Sequence, residues 1–284
     1  MLSHKKIIVF YHKNCPDGFG AAWATWKKFG TKADYIALGY EDPVSFKDVK
    51  NKTIYLVDFS FSPKNIEDLK KRGNEVIMID HHISAQESFK VSSGGIYDMK
   101  HSGAVLTWIY FFPEKKVPLL LKYIEDQDLW NFKLPDTEKI IINTKLDNFD
   151  FKFWNKLERD FENKKKINQF KKEGEILLSY RDKMIDNLVD KKTYFVKFEG
   201  IKAPVINFSF RPATSSLAHI LYTKYPPMAI IWHEVGNLRK FSLRSNGKVD
   251  VSKIAKKFGG GGHKKASGFD MPIEKPFPWK IIKK

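Results

Sequence analysis

The sequence predicts an α/β protein in which an N-terminal parallel-sheet domain is joined by a helical linker to a smaller mixed α/β domain. Three observations carry that prediction. Short, continuously apolar runs alternate with amphipathic segments through the first half, the pattern of strands buried on both faces of a parallel sheet. A charged stretch without proline fills residues 151–192. Beyond it, strand-like runs return with only two helical segments among them. The expected boundaries are 1–150, 151–192 and 193–284. With 284 residues, 42 % of them hydrophobic and 14 % aromatic, the chain has the apolar mass for two cores, which excludes a disordered protein.

The first strand is expected at residues 6–10 (KIIVF), followed by a helix over 19–29 in which alanines supply propensity and Trp23 and Trp26 an apolar face. Residues 53–57 (TIYLV) form the second strand, and Ser62-Pro63 then cap and open a helix running through Lys71. Residues 75–79 (EVIMI) form the third. Two helices, 102–112 and 117–124, are separated by Pro113 and Pro118. The stretch 151–192 reads as one long or two shorter exposed helices, with its lysine clusters a solvated face. In the last third, strands are expected at 194–198, 205–207, 228–232 and 238–243, and helices at 215–225 and 251–258, the latter capped by Asp250.

Charge divides the chain unevenly. The formal net charge is +17, yet residues 1–150 carry 21 Lys and Arg against 20 Asp and Glu, while residues 151–284 carry 29 against 13. The excess therefore sits in the second half, where it suits either a polyanionic partner or solubility alone. The single cysteine, Cys15, excludes an intramolecular disulfide and a Cys-based zinc site, and fits a reducing compartment, the cytoplasm by default. No run is long enough for a signal-peptide core or a membrane span, so no membrane association is expected.

The acids and imidazoles of the first half stand at strand ends. The first strand runs into His12 and Asp17, the second into Asp58, the third into Asp80-His81-His82. Parallel strands open their carboxyl ends on one edge, so these residues converge on one cleft. Singly, such an aspartate is a turn former or helix cap. As a set, close carboxylates repel unless cations neutralise them, and oxygen with imidazole donors suits Mn2+, Mg2+ or Fe rather than structural zinc. Two such ions about 3.5–4 Å apart activate water and stabilise both oxygens in phosphoryl transfer. In the basic half, Phe258 precedes four glycines and His263. Consecutive glycines cost roughly 0.5–1 kcal/mol each against alanine in regular structure, and a loop that offers N–H groups to an anion is one reason to keep them.

In these residues the chain resembles the DHH phosphoesterases that carry a C-terminal DHHA1 domain. Asp80-His81-His82 is the motif that names the family, and Gly260-Gly261-Gly262-His263, within FGGGGHKKASGF, resembles the DHHA1 signature. CPDGFGAAW and EDQDLW are similar to the small bacterial and archaeal members that degrade short RNA oligonucleotides. The resemblance implies two divalent ions, Mn2+ with Mg2+ as the alternative. His12, Asp17, Asp58, His81 and Asp126 would be the ligands, Asp58 bridging both ions, with Asp128 as the fallback for Asp126. His82 would face the substrate phosphate and Asp80 would orient the histidine pair.

Substrate would also be held by backbone N–H groups at Ser102 and Gly103, next to His101, and by Arg244, Gly261, Gly262 and His263, with Arg211 a weaker candidate. Cys15 stands where many members have an aspartate; it is a ligand, a bystander packed beneath the cleft, or a sign that this ion has fewer protein ligands. The activity implied is removal of mononucleotides from the 3′ end of short RNA or cleavage of dinucleotides, by a monomer or homodimer. The alternatives are a phosphomonoesterase or pyrophosphatase on the same fold, and a nucleic-acid-binding protein with a decayed metal site.

Overall fold

The computed structural model describes residues 5–39, 42–144, 146 and 148–283, and it divides into two compact units, Met1–Leu178 and Ser179–Lys284. In the first unit, β1 (Ile7–His12), α1 (Pro16–Phe29), β2 (Ala33–Leu38), β3 (Thr53–Val57), α2 (Pro63–Lys71), β4 (Glu75–Asp80), α3 (Gln86–Val91) and β5 (Gly94–Tyr97) alternate along the chain. The strands form one all-parallel sheet in the order β2-β1-β3-β4-β5. Four helices follow, α4 (Gly103–Phe111), α5 (Leu119–Asp128), α6 (Thr137–Ile142) and α7 (Phe151–Phe161), and then α8 (Lys164–Lys192), inside which the division between units falls.

The apolar runs become central strands because both faces of the sheet are covered. Ile8, Phe10, Ile54 and Leu56 pack toward Ile66 and Leu69 of α2, while Val9, Val57 and Ile79 face Ala21 and Leu106 on the other side. Behind α1 and α4 lies a second layer rich in aromatics, where Trp23 stacks on Trp108 with ring centroids 5.8 Å apart. Ser62 caps α2 as expected, its hydroxyl accepting from Asn65 N at 3.3 Å.

The differences from expectation have local causes. The helix after β1 begins at Pro16, so Asp17 lies in its first turn rather than in a preceding turn. The β2 strand mixes polar and apolar residues because it is an edge strand. The β5 strand opens with Gly94-Gly95, poor strand formers, but a Cβ at Gly95 would come within 1.8 Å of the Met78 carbonyl oxygen. Residues 151–161 are not a connector: Trp154, Leu157 and Phe161 of α7 are buried in the first unit's core.

The second unit is built on seven strands: β6 (Tyr194–Phe198), β7 (Ile201–Asn207), β8 (Met228–Val235), β9 (Leu238–Ser245), β10 (Gly261–His263), β11 (Ala266–Pro272) and β12 (Lys280–Ile282). Their order is β10-β11-β9-β8-β7-β6-β12, with β7 and β8 parallel and the other pairs antiparallel. The sheet's two faces are covered by α9 (Arg211–Lys224) and α10 (Val251–Lys257), with separate apolar clusters. Asp250 caps α10, accepting from Ser252 N at 3.1 Å.

Candidate metal centre

In the order β2-β1-β3-β4-β5 the chain's progress across the sheet reverses at β1 and β3, and the crevice for a ligand lies beyond the carboxyl ends at that point. His12 ends β1, Asp58 follows β3, and His81 and His82 follow β4. Asp58 is 1 % exposed and adopts φ +51°, a left-handed conformation that a non-glycine residue holds at a cost of order 1–3 kcal/mol. Imidazole nitrogens surround it: His81 Nε2 at 3.3 Å, His12 Nδ1 at 3.7 Å and His82 Nδ1 at 3.7 Å. In this unit Asp58 is common to three sets of donor atoms lying within 4.8 Å of one another, one with Asp17 and His81, one with His12 and Cys15, one with Asp80 and His82.

The other two aspartates hold the scaffold. Asp17 accepts from Gly103 N at 2.7 Å and Ala104 N at 3.0 Å, so its carboxyl group occupies the N-terminus of α4. Asp80 Oδ1 accepts from His81 N at 2.7 Å and His82 N at 2.9 Å, and lies 2.7 Å from His82 Nδ1. These hydrogen bonds tie Asp80 to both residues that follow it. Gly103 is required by proximity: a Cβ there would lie 2.5 Å from Asp58 Cβ.

Two expectations are corrected here. The N–H groups of Ser102 and Gly103 do not await a phosphate, because Ser102 N donates to Glu125 Oε2 at 2.9 Å and Gly103 N to Asp17. Ser102 is fully buried; its hydroxyl caps α4, accepting from Val105 N at 3.4 Å. Nor does Asp126 join the cluster. Its carboxylate accepts from Lys133 N at 2.8 Å, Leu134 N at 3.0 Å and the Thr137 hydroxyl at 2.5 Å, and it closes the loop after α5. Asp128 takes the position expected of Asp126, with Oδ2 3.7 Å from His81 Nε2. The two acids are two residues apart on a helix, about 200° around its axis, so one facing the cleft turns the other away.

The electrostatics follow from crowding. Burial alone would raise the Asp58 carboxyl, but the contacts from His12 and His81 override it and hold Asp58 well below the usual carboxylate range. Asp17 is pushed well above that range, by burial first and then by the charges of Asp58 and Asp128. Burial pulls the two histidines down, yet their carboxylate neighbours win, raising His81 to about 10 through Asp58 and Asp17 and His82 to about 9 through Asp80. Burial, and then Asp58, lift the Cys15 thiol well above its ordinary value.

These residues fit a divalent cation. Among the described residues, both carboxylate oxygens of Asp58 and Oδ2 of Asp80 are buried and accept no hydrogen bond, and the donors are oxygen and imidazole nitrogen. Cys15 is close enough to belong to the site, but a thiol must lose its proton to ligate, and its surroundings oppose that.

In the second unit Arg244, on β9, contacts only neutral groups, Leu243 O at 3.0 Å, Ser267 O at 3.5 Å and Ser215 Oγ at 3.4 Å. Among the described residues no carboxylate pairs with it. The glycine run is not the open loop that was expected. Gly259 N and Gly260 N donate to Lys256 O and Ala255 O, and Gly261, Gly262 and His263 form edge strand β10 against β11. Gly262 has φ +128°, and a Cβ there would meet Ala266 O at 2.6 Å. The side chain of Arg211 lies outside the described residues.

A carboxylate and imidazole cluster at the carboxyl edge of a parallel sheet, in a chain with a second mixed-sheet unit, defines a two-domain α/β protein with a candidate divalent-metal centre. The chain belongs to the DHH family: residues 6–126 match the DHH family N-terminal domain and residues 211–276 the DHHA1 domain. It is 31 % identical over 285 residues to the uncharacterized protein R106 of Acanthamoeba polyphaga mimivirus, covering 92 % of this chain and 66 % of that relative's length. Among solved structures, RecJ from Thermus thermophilus in complex with Mn2+ is similar, with TM-score 0.53 and 16 % identity over 94 % of this chain and 49 % of that one. The exonuclease RecJ bound to manganese matches with TM-score 0.51, again 16 % identical, over 94 % and 86 %. At that identity the likeness is one of fold. Among the described residues no helix is long and apolar enough to cross a membrane.

Proposed function

We propose that this protein is a cytoplasmic, metal-dependent phosphodiesterase that degrades short RNA oligonucleotides or dinucleotides to mononucleotides from the 3′ end. The observation that carries the reading is Asp58, buried, its oxygens without hydrogen bonds, at the centre of three sets of metal-ligating atoms. His12, Asp17, Asp58, His81 and Asp128 would hold two divalent ions, Mn2+ or Mg2+. Bound there, the ions supply the positive charge that activates water and offsets charge on phosphoryl oxygens.

The chain's own residues do the rest. Asp80 fixes the orientation of His82 through Nδ1, and the raised pKa of His82 keeps it protonated near neutrality, a fixed positive charge for the substrate phosphate. Asp17 pins the N-terminus of α4 against Asp58, so the cluster keeps its shape. In the second unit, Arg244 without a carboxylate partner is suited to a nucleotide phosphate, and the concentration of basic residues beyond residue 150 supports a polyanionic substrate. Support for RNA and for the 3′ direction comes from the likeness of CPDGFGAAW and EDQDLW to the small RNA-degrading members. The similarity to an exonuclease that binds manganese agrees with both nuclease activity and metal.

The test is a product ladder from an end-labelled RNA pentamer, with a cyclic dinucleotide and pyrophosphate in parallel, each with Mn2+ and with Mg2+. Stepwise shortening from the 3′ end that disappears in Asp58→Ala and in His81→Ala supports the reading. Turnover unchanged in both variants, or hydrolysis of pyrophosphate alone, sinks it.

A further inference from the structure

We propose that the imidazole of His101, held in place by Glu125, is the proton donor to the leaving oxygen of the reaction; the inference rests on the reading that this chain is a phosphodiesterase. His101 lies just before α4, and its Nδ1 is 3.0 Å from Glu125 Oε2. The same oxygen accepts from Ser102 N at 2.9 Å. Capping α4 accounts for the bond to Ser102 N; it does not call for an imidazole on that oxygen as well. An ionised carboxylate offers only lone pairs, so Nδ1 carries the proton of this contact and Nε2 is the nitrogen left to react. Among the described residues Nε2 makes no hydrogen bond or ion pair, and the side chain is 43 % exposed. An imidazole oriented through one nitrogen and accessible at the other is the arrangement that general acid–base chemistry uses.

Two routes through the fold bring the pair to the edge of the metal-binding cluster. Along the chain, His101 is two residues before Gly103, so the two Cα atoms are at most about 7 Å apart. Gly103 is packed so closely on Asp58 that a Cβ there would lie 2.5 Å from Asp58 Cβ. Along α5, Glu125 is three residues before Asp128, a turn earlier on nearly the same face and about 4.5 Å along the axis. Asp128 Oδ2 in turn comes within 3.7 Å of His81 Nε2. Neither His101 nor Glu125 belongs to the donor sets around Asp58, so the imidazole is not spent on a cation. Hydrolysis of a nucleotide diester forms a bond from a water oxygen to phosphorus and breaks the bond from phosphorus to the ribose oxygen. The departing alkoxide is a strong base and takes the proton of Nε2–H. The neutral ring then recovers a proton from solvent, to which the attacking water has released one, so the imidazole returns to its starting state. Glu125 keeps the ring oriented and offsets its charge before the transfer.

The experiment gives the full chain, with Mn2+ present, two diesters of one nucleotide that differ in the leaving oxygen. One is a diadenylate, which loses a ribose 3′-oxygen; the other is the p-nitrophenyl ester of adenosine 5′-monophosphate, whose aryl oxide departs without a proton. His101→Ala should lower kcat on the dinucleotide by about a hundredfold or more with KM little changed, and on the aryl ester by less than about fivefold. Glu125→Gln, which still offers an acceptor to Ser102 N, should show the same split with a smaller loss. The melting temperature and the calorimetric Mn2+ affinity of His101→Ala should match wild type, which separates the loss of a proton donor from damage to the cluster. His101→Gln, an amide with no proton to transfer, repeats the comparison if the alanine variant does not fold. Equal losses on the two diesters, no loss on the dinucleotide, or a Mn2+ affinity that falls with the activity overturns the proton donor and leaves the phosphodiesterase reading standing. A wild type that cleaves neither diester, or the aryl ester alone, refutes that reading and the donor with it, since no alkoxide then departs.

Discussion

The distinction between Asp126 and Asp128 gives the most discriminating prediction. Asp126→Asn changes one oxygen to an NH2 group at a carboxylate whose two oxygens accept from two backbone N–H groups and a hydroxyl. Whichever way the amide is placed, its NH2 faces a donor. If Oδ1 is replaced, Lys133 N is orphaned; if Oδ2 is replaced, Leu134 N loses its acceptor and Thr137 must turn. A hydrogen bond to a charged group contributes roughly 1.5–3 kcal/mol, so losing one or two should destabilise the first unit by about 2–4 kcal/mol. For a unit of this size that corresponds to a fall of roughly 5–15 °C in its melting temperature. Manganese affinity should change little.

Asp128→Asn should do the reverse. No hydrogen bond of the fold depends on this carboxylate among the described residues, and it stands among like charges near His81. Its loss should leave the metal-free melting temperature within about 2 °C and weaken Mn2+ binding by tenfold or more, read by calorimetry. A stable Asp126→Asn that no longer binds manganese, beside an Asp128→Asn that binds normally, would refute the assignment of the two acids.

Gly103→Ala should cost roughly 1–3 kcal/mol, because its Cβ would sit 2.5 Å from Asp58 Cβ, and should weaken Mn2+ binding with it; an alanine variant with wild-type melting and affinity contradicts the packing argument. His81 and His82 are raised to about 10 and about 9, above their ordinary 6.5, so the stability they lend the metal-free protein is full below pH 6.5 and is lost as pH rises through 9 to 10. A cation that takes the His81 nitrogen must displace its proton, so Mn2+ titration near pH 7 should release protons, and affinity should rise toward pH 9; a pH-independent affinity across that range excludes the competition. Arg244→Ala should lower affinity for a short RNA several-fold and flatten its salt dependence while leaving Mn2+ binding intact, and a coupled loss of both would count against separate roles.

How much of this was legible in the sequence depends on the range of each interaction. Residues 53–57 and 75–79 declare themselves because a strand covered on both faces leaves no polar residue among its buried positions, and Ser62-Pro63 announces a helix through local chemistry. Strand β5 was hidden by its glycines, whose reason is the carbonyl of Met78 on the next strand. Ser102 and Gly103 read as an open helix N-terminus because the carboxylate that closes it, Asp17, is 86 residues from Gly103 in sequence. In the acidic end of α5 a ligand and a loop anchor have the same side chain and lie two residues apart. The clue was the demand of the following segment, with Trp130, Phe132 and Asp136 all left-handed and needing an internal anchor.

The division of labour among the acids explains why a crowded carboxylate site can fold before any cation arrives. Asp17 has both oxygens taken up by the N–H groups that open α4, and Asp80 spends Oδ1 on the two residues it orients. Asp126 is withdrawn into the α5 loop. Asp58 is left with buried oxygens that accept no hydrogen bond among the described residues, faced by imidazoles at 3.3–3.7 Å. Protonated His81 thus holds the cation's place in the metal-free fold, and it gives up that charge when a stronger one binds. The cluster's affinity is therefore concentrated in Asp58 and the groups that touch it, while the acids on either side preserve its geometry. The formal near-neutrality of residues 1–150 reflects the same arrangement: part of its acidic complement is reserved for cations, which bring the cleft the positive charge that the second half of the chain carries as lysine and arginine.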